Sequence, residues 1–339
     1  MDRWRGVLRV SINSNKDVFF KVAASLCFSP SSKALSVPFV NAVFFNGDRV
    51  QDTGNPVIEK LSDVQNIADI IVSKLGSYVN AWVVEASTFN GPFAVYKDFV
   101  PTVNSRGEPR SYHPVGFPAS TSTLLLLFKC LEEVRCMISR KPEPSPTDKH
   151  FDASRSGTNF PNTVVLGFSK GGTVVNQLLT ELAHAKAQPP EKTTVQTKNQ
   201  RMPDFLKITE EGHIFPSSEH AFLDSISEIH YVDVGLNCPG AYLTEKSVIK
   251  KIAERLSHCS KGLRLVLHGT PRQWSDKNRR WILDEKNTLL QLLEEEACAS
   301  GGKLQQSEPF QEAIICKLPL SSMRAYIQKV KPSADVNPR

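Results

Sequence analysis

The sequence lacks two features that would place it in a membrane or among secreted disulfide proteins. Its longest purely apolar run, Leu124 to Phe128, is far shorter than the roughly 20 residues that a transmembrane helix needs. Its seven cysteines are odd in number and form no Cys-x-x-Cys pair, which favours reduced thiols. We therefore expect no transmembrane segment and an intracellular compartment.

Motifs for common cofactors and for nucleic acids are also absent. No His-x-x-x-His or comparable ligand spacing indicates a metal site. The stretch "GFSKGG" lacks the spacing and the Gly-Lys-Ser/Thr ending of a phosphate-binding loop. The formal charge of +6 is scattered over polar loops, without a recognition motif beside it. The sequence thus predicts no metal, no cofactor and no nucleic-acid partner.

The N-terminus carries opposing signals about targeting. Arg3, Arg5 and Arg9 are typical of a mitochondrial presequence, whereas Asp2 is not, because such peptides contain few acidic residues. A strand predicted from about residue 6 leaves no room for a removable leader. We therefore expect a cytoplasmic protein.

Apolar patterning predicts one domain, residues 1–335, in which strands and helices alternate. An N-terminal hairpin comes first, formed by "GVLRVSI" and "DVFFKVAASLCF". Two polar segments, 139–162 and 186–218, are expected to be flexible surface loops. Such alternation builds a mostly parallel sheet with helices on both faces. The six remaining strands are predicted at residues 40–48, 80–87, 163–168, 228–235, 262–269 and 312–318.

The stretch "VVLGFSKGG" contains a Gly-x-Ser-x-Gly pattern between the predicted fifth strand and an amphipathic helix. In a nucleophile elbow, a serine on such a strand-to-helix turn projects its hydroxyl above the sheet. Gly167 and Gly171 would remove side chains that clash with the neighbouring strand and helix. We interpret Ser169 as a candidate nucleophile. Eight strands with this turn after the fifth resemble the α/β-hydrolase fold.

In that fold, two main-chain N–H groups hold the oxyanion that forms during ester cleavage. Lys170, directly after the serine, would supply one of them. The segment "FFNGD" after the third strand would supply the other, with Gly47 as first choice and Asn46 or Asp48 as alternatives. An ordinary Asn-Gly turn explains the same segment equally well. A carboxylate at Asp48 would disfavour an oxyanion unless it pointed away.

The sequence departs from the α/β-hydrolase pattern at the general base. A catalytic serine needs a base within hydrogen-bond reach and an acid that orients the base. The usual histidine follows the last strand, but no histidine follows His268. His268 is therefore the candidate base, with a packing role as the alternative. Asp233, near the end of the predicted sixth strand, is the candidate acid, and Asp276 is the runner-up.

The remaining histidines after Ser169 are less suitable as bases. His230 is predicted at the start of the sixth strand, at the opposite end of the sheet. His184 lies on the helix after the turn and is expected to face away. His213 and His220 fall in a segment that is expected to be mobile and to fold over the site as a lid.

The segments "FFNGD", "VVLGFSKGG" and "HGTP" together resemble a little-characterised eukaryotic family of α/β-hydrolase-like proteins. The resemblance implies an esterase- or lipase-like body with Ser169 at the elbow. Because the family's vertebrate member is associated with mitochondria, it also implies a mitochondrial location as the alternative to the cytoplasm. The predicted function is that of a serine hydrolase acting on a small-molecule or lipid ester or thioester. The missing terminal histidine keeps an alternative open, a catalytically inactive binding or scaffolding protein.

Overall fold

A nine-stranded sheet runs through the part of the chain that the structure describes. The computed structural model describes residues 2–13, 18–50, 59, 62–139, 160–185 and 214–308. The strands, two of which form a separate hairpin, are β1 (Arg3–Val10), β2 (Phe20–Ser29), β3 (Ala34–Leu35), β4 (Val40–Phe45), β5 (Val79–Glu85), β6 (Thr88–Asn90), β7 (Phe93–Val95), β8 (Asn162–Phe168), β9 (Ile226–Val232), β10 (Leu263–His268) and β11 (Leu304–Ser307).

The order of the strands in the sheet is β1-β2-β5-β4-β8-β9-β10-β11, with the short β3 paired beside β2. β1, β2 and β5 are antiparallel neighbours, and every pair from β5 through β4 to β11 is parallel. β4 and β5 thus exchange places relative to the chain, as in the α/β-hydrolase fold. The predicted fold, a mostly parallel sheet that begins with an antiparallel hairpin, is confirmed.

Helices cover both faces of this sheet. In most of them apolar residues recur every three or four positions, so that one stripe faces the strands, whereas the helix after Ser169 is buried on all sides. The helices are α1 (Val64–Leu75), α2 (Pro118–Ser139), α3 (Gly172–His184), α4 (Glu219–Ser225), α5 (Lys246–Ser257), α6 (Pro271–Trp274) and α7 (Arg280–Ala297).

The two faces of the sheet belong to two separate apolar cores. Helix α1 buries Val64, Ile67, Ala68 and Ile71 against one face, in a core that includes Phe44 of β4. The other helices pack on the opposite face, in a larger core. Strands β4 and β5 are buried almost throughout because both of their faces are covered.

The long connection between β5 and α2 is more ordered than the expected loop at residues 88–118. It contains the hairpin β6–β7 and an antiparallel bridge between Val103 and Pro109. The hairpin is tied to the segment after β4, since Arg49 N donates to Pro92 O at 2.8 Å. The connection between β5 and α2 is therefore held by hydrogen bonds close to the carboxyl end of β4.

A buried carboxylate on α3 closes the start of α2. Glu181 accepts hydrogen bonds from Ala119 N at 2.7 Å, from Ser120 N at 2.9 Å and from Ser120 Oγ at 2.7 Å. The first N–H groups of a helix have no partner within the helix, and an acid near this end is favoured by the helix dipole. Glu181 thus joins α2 to the helix that follows the candidate nucleophile.

Several predictions fall on parts of the chain that are not described. The predicted strand at 312–318 lies outside the described residues. An unpredicted strand, β11, pairs with β10 at the end of the described sheet. Most of the two predicted loops also lies outside them, although Ile214 and Phe215, within the second loop, are buried. The single-domain assignment stays a prediction. No helix among the described residues combines the length and the apolar character that crossing a bilayer requires.

Candidate functional site at the carboxyl edge of the sheet

Ser169 lies between the end of β8 and the start of α3, and its backbone has a φ of +50°. This left-handed conformation is unfavourable for a residue with a Cβ, and such strain is concentrated at functional sites. The side chain is neither fully buried nor fully exposed. The turn is thus a strained strand-to-helix connection with a partly accessible serine.

The glycines of the turn lie where the backbone approaches its neighbours most closely. A Cβ on Gly167 would lie 2.6 Å from Val175 Cγ2 and 2.7 Å from the carbonyl oxygen of Gly171. A Cβ on Gly171 would collide with the carbonyl oxygen of Phe45, at the end of β4. Neither contact leaves room for a larger residue, because a close-packed interior cannot absorb such overlap.

Gly47 lies directly against the serine. A Cβ on Gly47 would be 2.6 Å from Ser169 Cβ, so the segment after β4 borders the candidate nucleophile as expected. The N–H of Gly47, however, donates to Asn46 Oδ1 at 2.9 Å. The predicted role of this N–H in an oxyanion hole stays a prediction, and it would require that hydrogen bond to break.

Lys170 has a buried side chain, which the sequence did not predict. Its exposed fraction is 1%. Its Nζ donates to the carbonyl oxygen of Arg106 and lies 4.3 Å from the ring centroid of Phe93. Burial lowers the pKa of Lys170. The side chain therefore links the turn to the connection between β5 and α2. The main-chain N–H of Lys170 remains the predicted oxyanion donor.

The carboxylate of Asp48 is bound to the hairpin. Its Oδ1 accepts a hydrogen bond from Ala94 N at 2.8 Å. Burial raises the pKa of Asp48 to about 6, and the positive charge of Lys170 opposes this rise. The bond to Ala94 gives the carboxylate a fixed role in joining the β4 segment to β7.

Asp233 follows β9 and is strained in the same way as Ser169. Its φ is +45°. Since Phe168 pairs with Val232, the next residues along these parallel strands, Ser169 and Asp233, leave the sheet side by side. Two non-glycine residues in the left-handed region thus end neighbouring strands at one edge.

The Asp233 carboxylate is held by the segment after β10. Its Oδ1 accepts hydrogen bonds from Thr270 N and Thr270 Oγ1, both at 3.0 Å, and Asp233 N donates to His268 O at 2.7 Å. Thr270 was not predicted as part of the site. The "HGTP" segment could have identified it. This segment follows the strand next to the one that ends at Asp233, and its threonine supplies a hydroxyl group there.

His268 is buried in a hydrogen-bonded pair with His230. Its Nε2 lies 2.9 Å from His230 Nδ1, and the planes of the two rings differ by 10°. His230 Nε2 lies 3.1 Å from Glu228 Oε2. The simplest tautomers send both N–H groups toward Glu228, which leaves a bare lone pair on His268 Nδ1.

This arrangement does not bring His268 into hydrogen-bond contact with Ser169. His268 Nε2 is taken by His230, and His268 Nδ1 is buried with no partner among the described residues. Burial lowers the pKa of His268 to about 3, and His230 contributes to the shift. The ring is therefore neutral near pH 7, and its catalytic role stays a prediction.

The position of His230 corrects the sequence interpretation. It was expected at the far end of the sheet, but it is the hydrogen-bond partner of His268. Glu228 completes the chain of side chains. Hydrogen bonds from His230 and Arg264 lower the pKa of Glu228 to about 2. The predicted strand, 228–235, begins two residues after the observed start of β9 at Ile226, so His230 lies nearer the middle of the strand than expected.

The other candidates lie elsewhere. Asp276 accepts from Asn278 N at 2.9 Å and pairs with Arg279 at 2.9 Å, in a short helical turn before α7. His184 contacts Thr180 O and Lys251. His220 belongs to α4 and packs 5.2 Å from the ring of Phe117, so it is not part of a mobile lid. His213 lies outside the described residues.

The family comparison falls on the part of the chain that holds the turn. The C2orf69 family matches residues 132–298. The chain is similar to this family over that stretch. The resemblance expected from the three sequence segments is therefore confirmed.

Individual relatives are distant. The mitochondrial protein C2orf69 homolog of Danio rerio is 26% identical over 240 residues, which cover 67% of this chain and 55% of that protein. The match thus spans about half the length of the relative.

Two solved structures are similar to the chain along most of its length. A ferulic acid esterase is 10% identical, with a TM-score of 0.42, over 97% of this chain and 100% of that one. Siderophore hydrolase EstA from Aspergillus nidulans is 15% identical, with a TM-score of 0.42, over 97% and 95% of the two chains. The fold assignment rests on the strand order given above.

Proposed function

We propose that this protein is a serine hydrolase that acts on esters or thioesters, with Ser169 as the nucleophile. The observation that carries the proposal is the φ of +50° at Ser169, between a buried strand and the N-terminus of α3. A strained, partly accessible serine on such a turn serves nucleophilic chemistry. The fold without this chemistry would have no evident need for the strain.

In the proposed reaction, Ser169 Oγ bonds to the acyl carbon and its proton passes to a base. The electron pair of the carbonyl bond moves onto the oxygen, where main-chain N–H groups at the start of α3, including that of Lys170, would stabilise the charge. Asp233 is the proposed acid, because it ends the neighbouring strand and is strained at the same edge.

His268 remains the proposed base, but it must first leave His230. Catalytic hydrogen bonds are often absent in a structure without substrate and form only in the complex. The lowered pKa of His268 keeps the ring neutral, the form that accepts a proton, but it also makes the buried ring a weak base. Release from the buried pair would raise the pKa toward the ordinary value of histidine. The proposal therefore requires His268 to change its hydrogen-bond partner when substrate binds.

A fluorophosphonate probe tests this proposal, with covalent labelling followed by intact-protein mass. We expect the wild type to react, Ser169→Ala not to react, and His268→Gln to react at least about 100-fold more slowly. His230→Gln is the matched control, because it disturbs the same pair but leaves His268 in place, and its labelling should persist. A wild type that is never labelled would count against the proposal.

A second function, binding without catalysis, is favoured by the placement of His268. Neither of its ring nitrogens contacts Ser169, and one is bonded to His230. Under this alternative the fold serves as a binding or scaffolding module. Unreactive wild type together with undiminished thermal stability in Ser169→Ala would support it.

The proposed substrate is a small-molecule or lipid ester, in keeping with a serine nucleophile. The Danio rerio relative is named a mitochondrial protein, which supports a mitochondrial location over a cytoplasmic one. Fractionation of cells that express the full-length protein tests this, and recovery in the cytosol alone would contradict a mitochondrial location.

A further inference from the structure

The segment after β4 contains one side-chain donor that the fold itself does not use. Asn46 is 5% exposed. Its N donates to Val84 O at 2.8 Å, its carbonyl oxygen accepts from Tyr96 OH at 2.7 Å, and its Oδ1 accepts from Gly47 N at 2.9 Å. Its Nδ2 donates to none of the described residues. This donor, on a largely buried residue, is left available to a group that enters the site.

The orientation of this amide is fixed by its neighbour. Only an acceptor can face the Gly47 N–H, so the oxygen must lie there and the NH₂ group must point the other way. The same hydrogen bond occupies the main-chain donor that the fold's usual pattern would offer to an oxyanion. One bond therefore removes the Gly47 N–H from use and orients the Asn46 Nδ2.

The location is next to the candidate nucleophile. Extension of the β4–β8 register, in which Phe45 pairs with Gly167, sets Asn46 beside Phe168 and Gly47 beside Ser169. The contact of Gly47 with Ser169 Cβ agrees with this register. The N-terminus of α3 lies on the other side of the serine, so donors would face the acyl oxygen from two directions.

We infer that the side-chain amide of Asn46, instead of the main-chain N–H of Gly47, donates the hydrogen bond to the oxyanion on this side of Ser169. The inference rests on the proposed function. The amide would stabilise the negative oxygen that forms when Ser169 Oγ bonds to the acyl carbon. A preorganised side-chain donor of this kind contributes about 100- to 1,000-fold in rate.

The decisive variant is Asn46→Ala, because the two candidate donors respond to it in opposite directions. Alanine removes the amide and frees the Gly47 N–H. If Asn46 is the donor, the rate of fluorophosphonate labelling per folded molecule falls about 100-fold. If the Gly47 N–H is the donor, the rate stays at the wild-type value or rises, which would overturn the inference and leave the proposed function intact.

A second variant guards against loss of folding. Asn46→Asp keeps an oxygen for the Gly47 N–H, removes the donor and adds a negative charge that also disfavours an oxyanion, so labelling should again fall about 100-fold or more. Circular dichroism and urea unfolding give the folded fraction of each variant. Wild-type labelling in folded Asn46→Asp would refute the role.

Asn80 offers a matched control at the opposite end of the sheet. Its Oδ1 accepts from Cys27 N at 2.7 Å, and its buried Nδ2 has no partner among the residues described. Asn80→Asp should label at the wild-type rate per folded molecule, and an equal loss there would overturn the inference. An unlabelled wild type is a separate result, since it removes the proposed function and this inference together.

Discussion

Two polar regions of the same sheet differ in backbone strain and in what their side chains do. At the carboxyl edge, Ser169 and Asp233 end neighbouring strands with φ values of +50° and +45°. On β9 and β10, His230 and His268 lie in regular strand and bond to each other. Both of these strained residues lie where the chain leaves the sheet, whereas the imidazoles hydrogen-bond to each other within it.

This difference separates the residues that the proposed serine hydrolase would need to bring together. The edge holds Ser169, the proposed nucleophile, and Asp233, the proposed acid, in backbone conformations that cost free energy to maintain. The histidine pair hydrogen-bonds within itself and to Glu228, and His268 Nδ1 has no partner among the described residues. Whether the two regions ever act together is therefore decided by the strength of the histidine pair.

The largest expected effect is the loss of folding stability that buried His268 causes as the pH falls. The pKa of His268 is about 3 in the fold, against 6.5 in the unfolded chain, so the unfolded state binds the proton first as pH falls. Stability from this group is complete above about pH 6.5 and is lost as pH falls toward 3. The full loss is about 5 kcal/mol, of which about 3 kcal/mol falls between pH 7 and pH 4, and urea unfolding at these two pH values measures it.

The matching variant is His268→Gln, which should flatten this pH dependence. His258→Gln, at an exposed position after α5, is the control and should keep the wild-type profile. If His268→Gln retains the full loss of stability on acidification, the ring is protonated in the folded state and the buried neutral pair is refuted.

The next largest effect is a loss of stability from a substitution at the carboxyl edge of the sheet alone. Gly171→Ala forces a Cβ against the carbonyl oxygen of Phe45, and we expect a loss of about 3 kcal/mol in the free energy of unfolding. Gly116→Ala is the control, because Gly116 has a φ of +78° and nothing within 4 Å, so only about 1 kcal/mol is lost. Equal losses in the two variants would contradict the packing explanation.

A smaller effect tests the hydrogen bond that Thr270 Oγ1 donates to Asp233. Thr270→Val removes the Oγ1 donor but keeps the main-chain N–H, and it should cost about 1 to 2 kcal/mol of stability because a buried carboxylate loses a partner. Thr270→Ser restores the hydroxyl and should lose less. Equal stability of the two variants in urea titrations would show that the hydroxyl does not hold Asp233.

The smallest effect measures the strain at the nucleophile. Ser169→Gly relieves the left-handed backbone, whereas Ser169→Ala keeps a Cβ in it. We therefore expect the glycine variant to be more stable than the alanine variant by about 1 kcal/mol in thermal or chemical unfolding. An alanine variant as stable as the glycine variant would mean that the turn relaxes in solution.

Much of the fold followed from local patterns. Apolar alternation gave β5 and β8 within a residue or two of their observed bounds, and the Gly-x-Ser-x-Gly pattern gave the strained turn. Both signals depend on neighbours in sequence. Strand β11 was not predicted because "LQQS" is short and mostly polar, and it shows no alternation of apolar and polar residues.

Contacts between distant segments could not be predicted in the same way. The pairing of His230 with His268 depends on the register of β9 against β10, and a shift of one residue sends a side chain to the other face. The burial of Lys170 depends on an excursion that comes from a different part of the chain. Thr270 and Asn46 acquire their roles only through partners that the fold supplies.

The sequence by itself determined the alternation of strands and helices, the glycines of the tight turn and the serine at its tip. These features follow from side-chain periodicity and from steric limits on a few adjacent residues. Tertiary structure decided which polar groups meet: His268 with His230, Asp233 with Thr270, and the Gly47 N–H with Asn46. Hydrogen bonds depend on a few tenths of an ångström, and only the packed sheet fixes distances that finely between segments far apart in the chain.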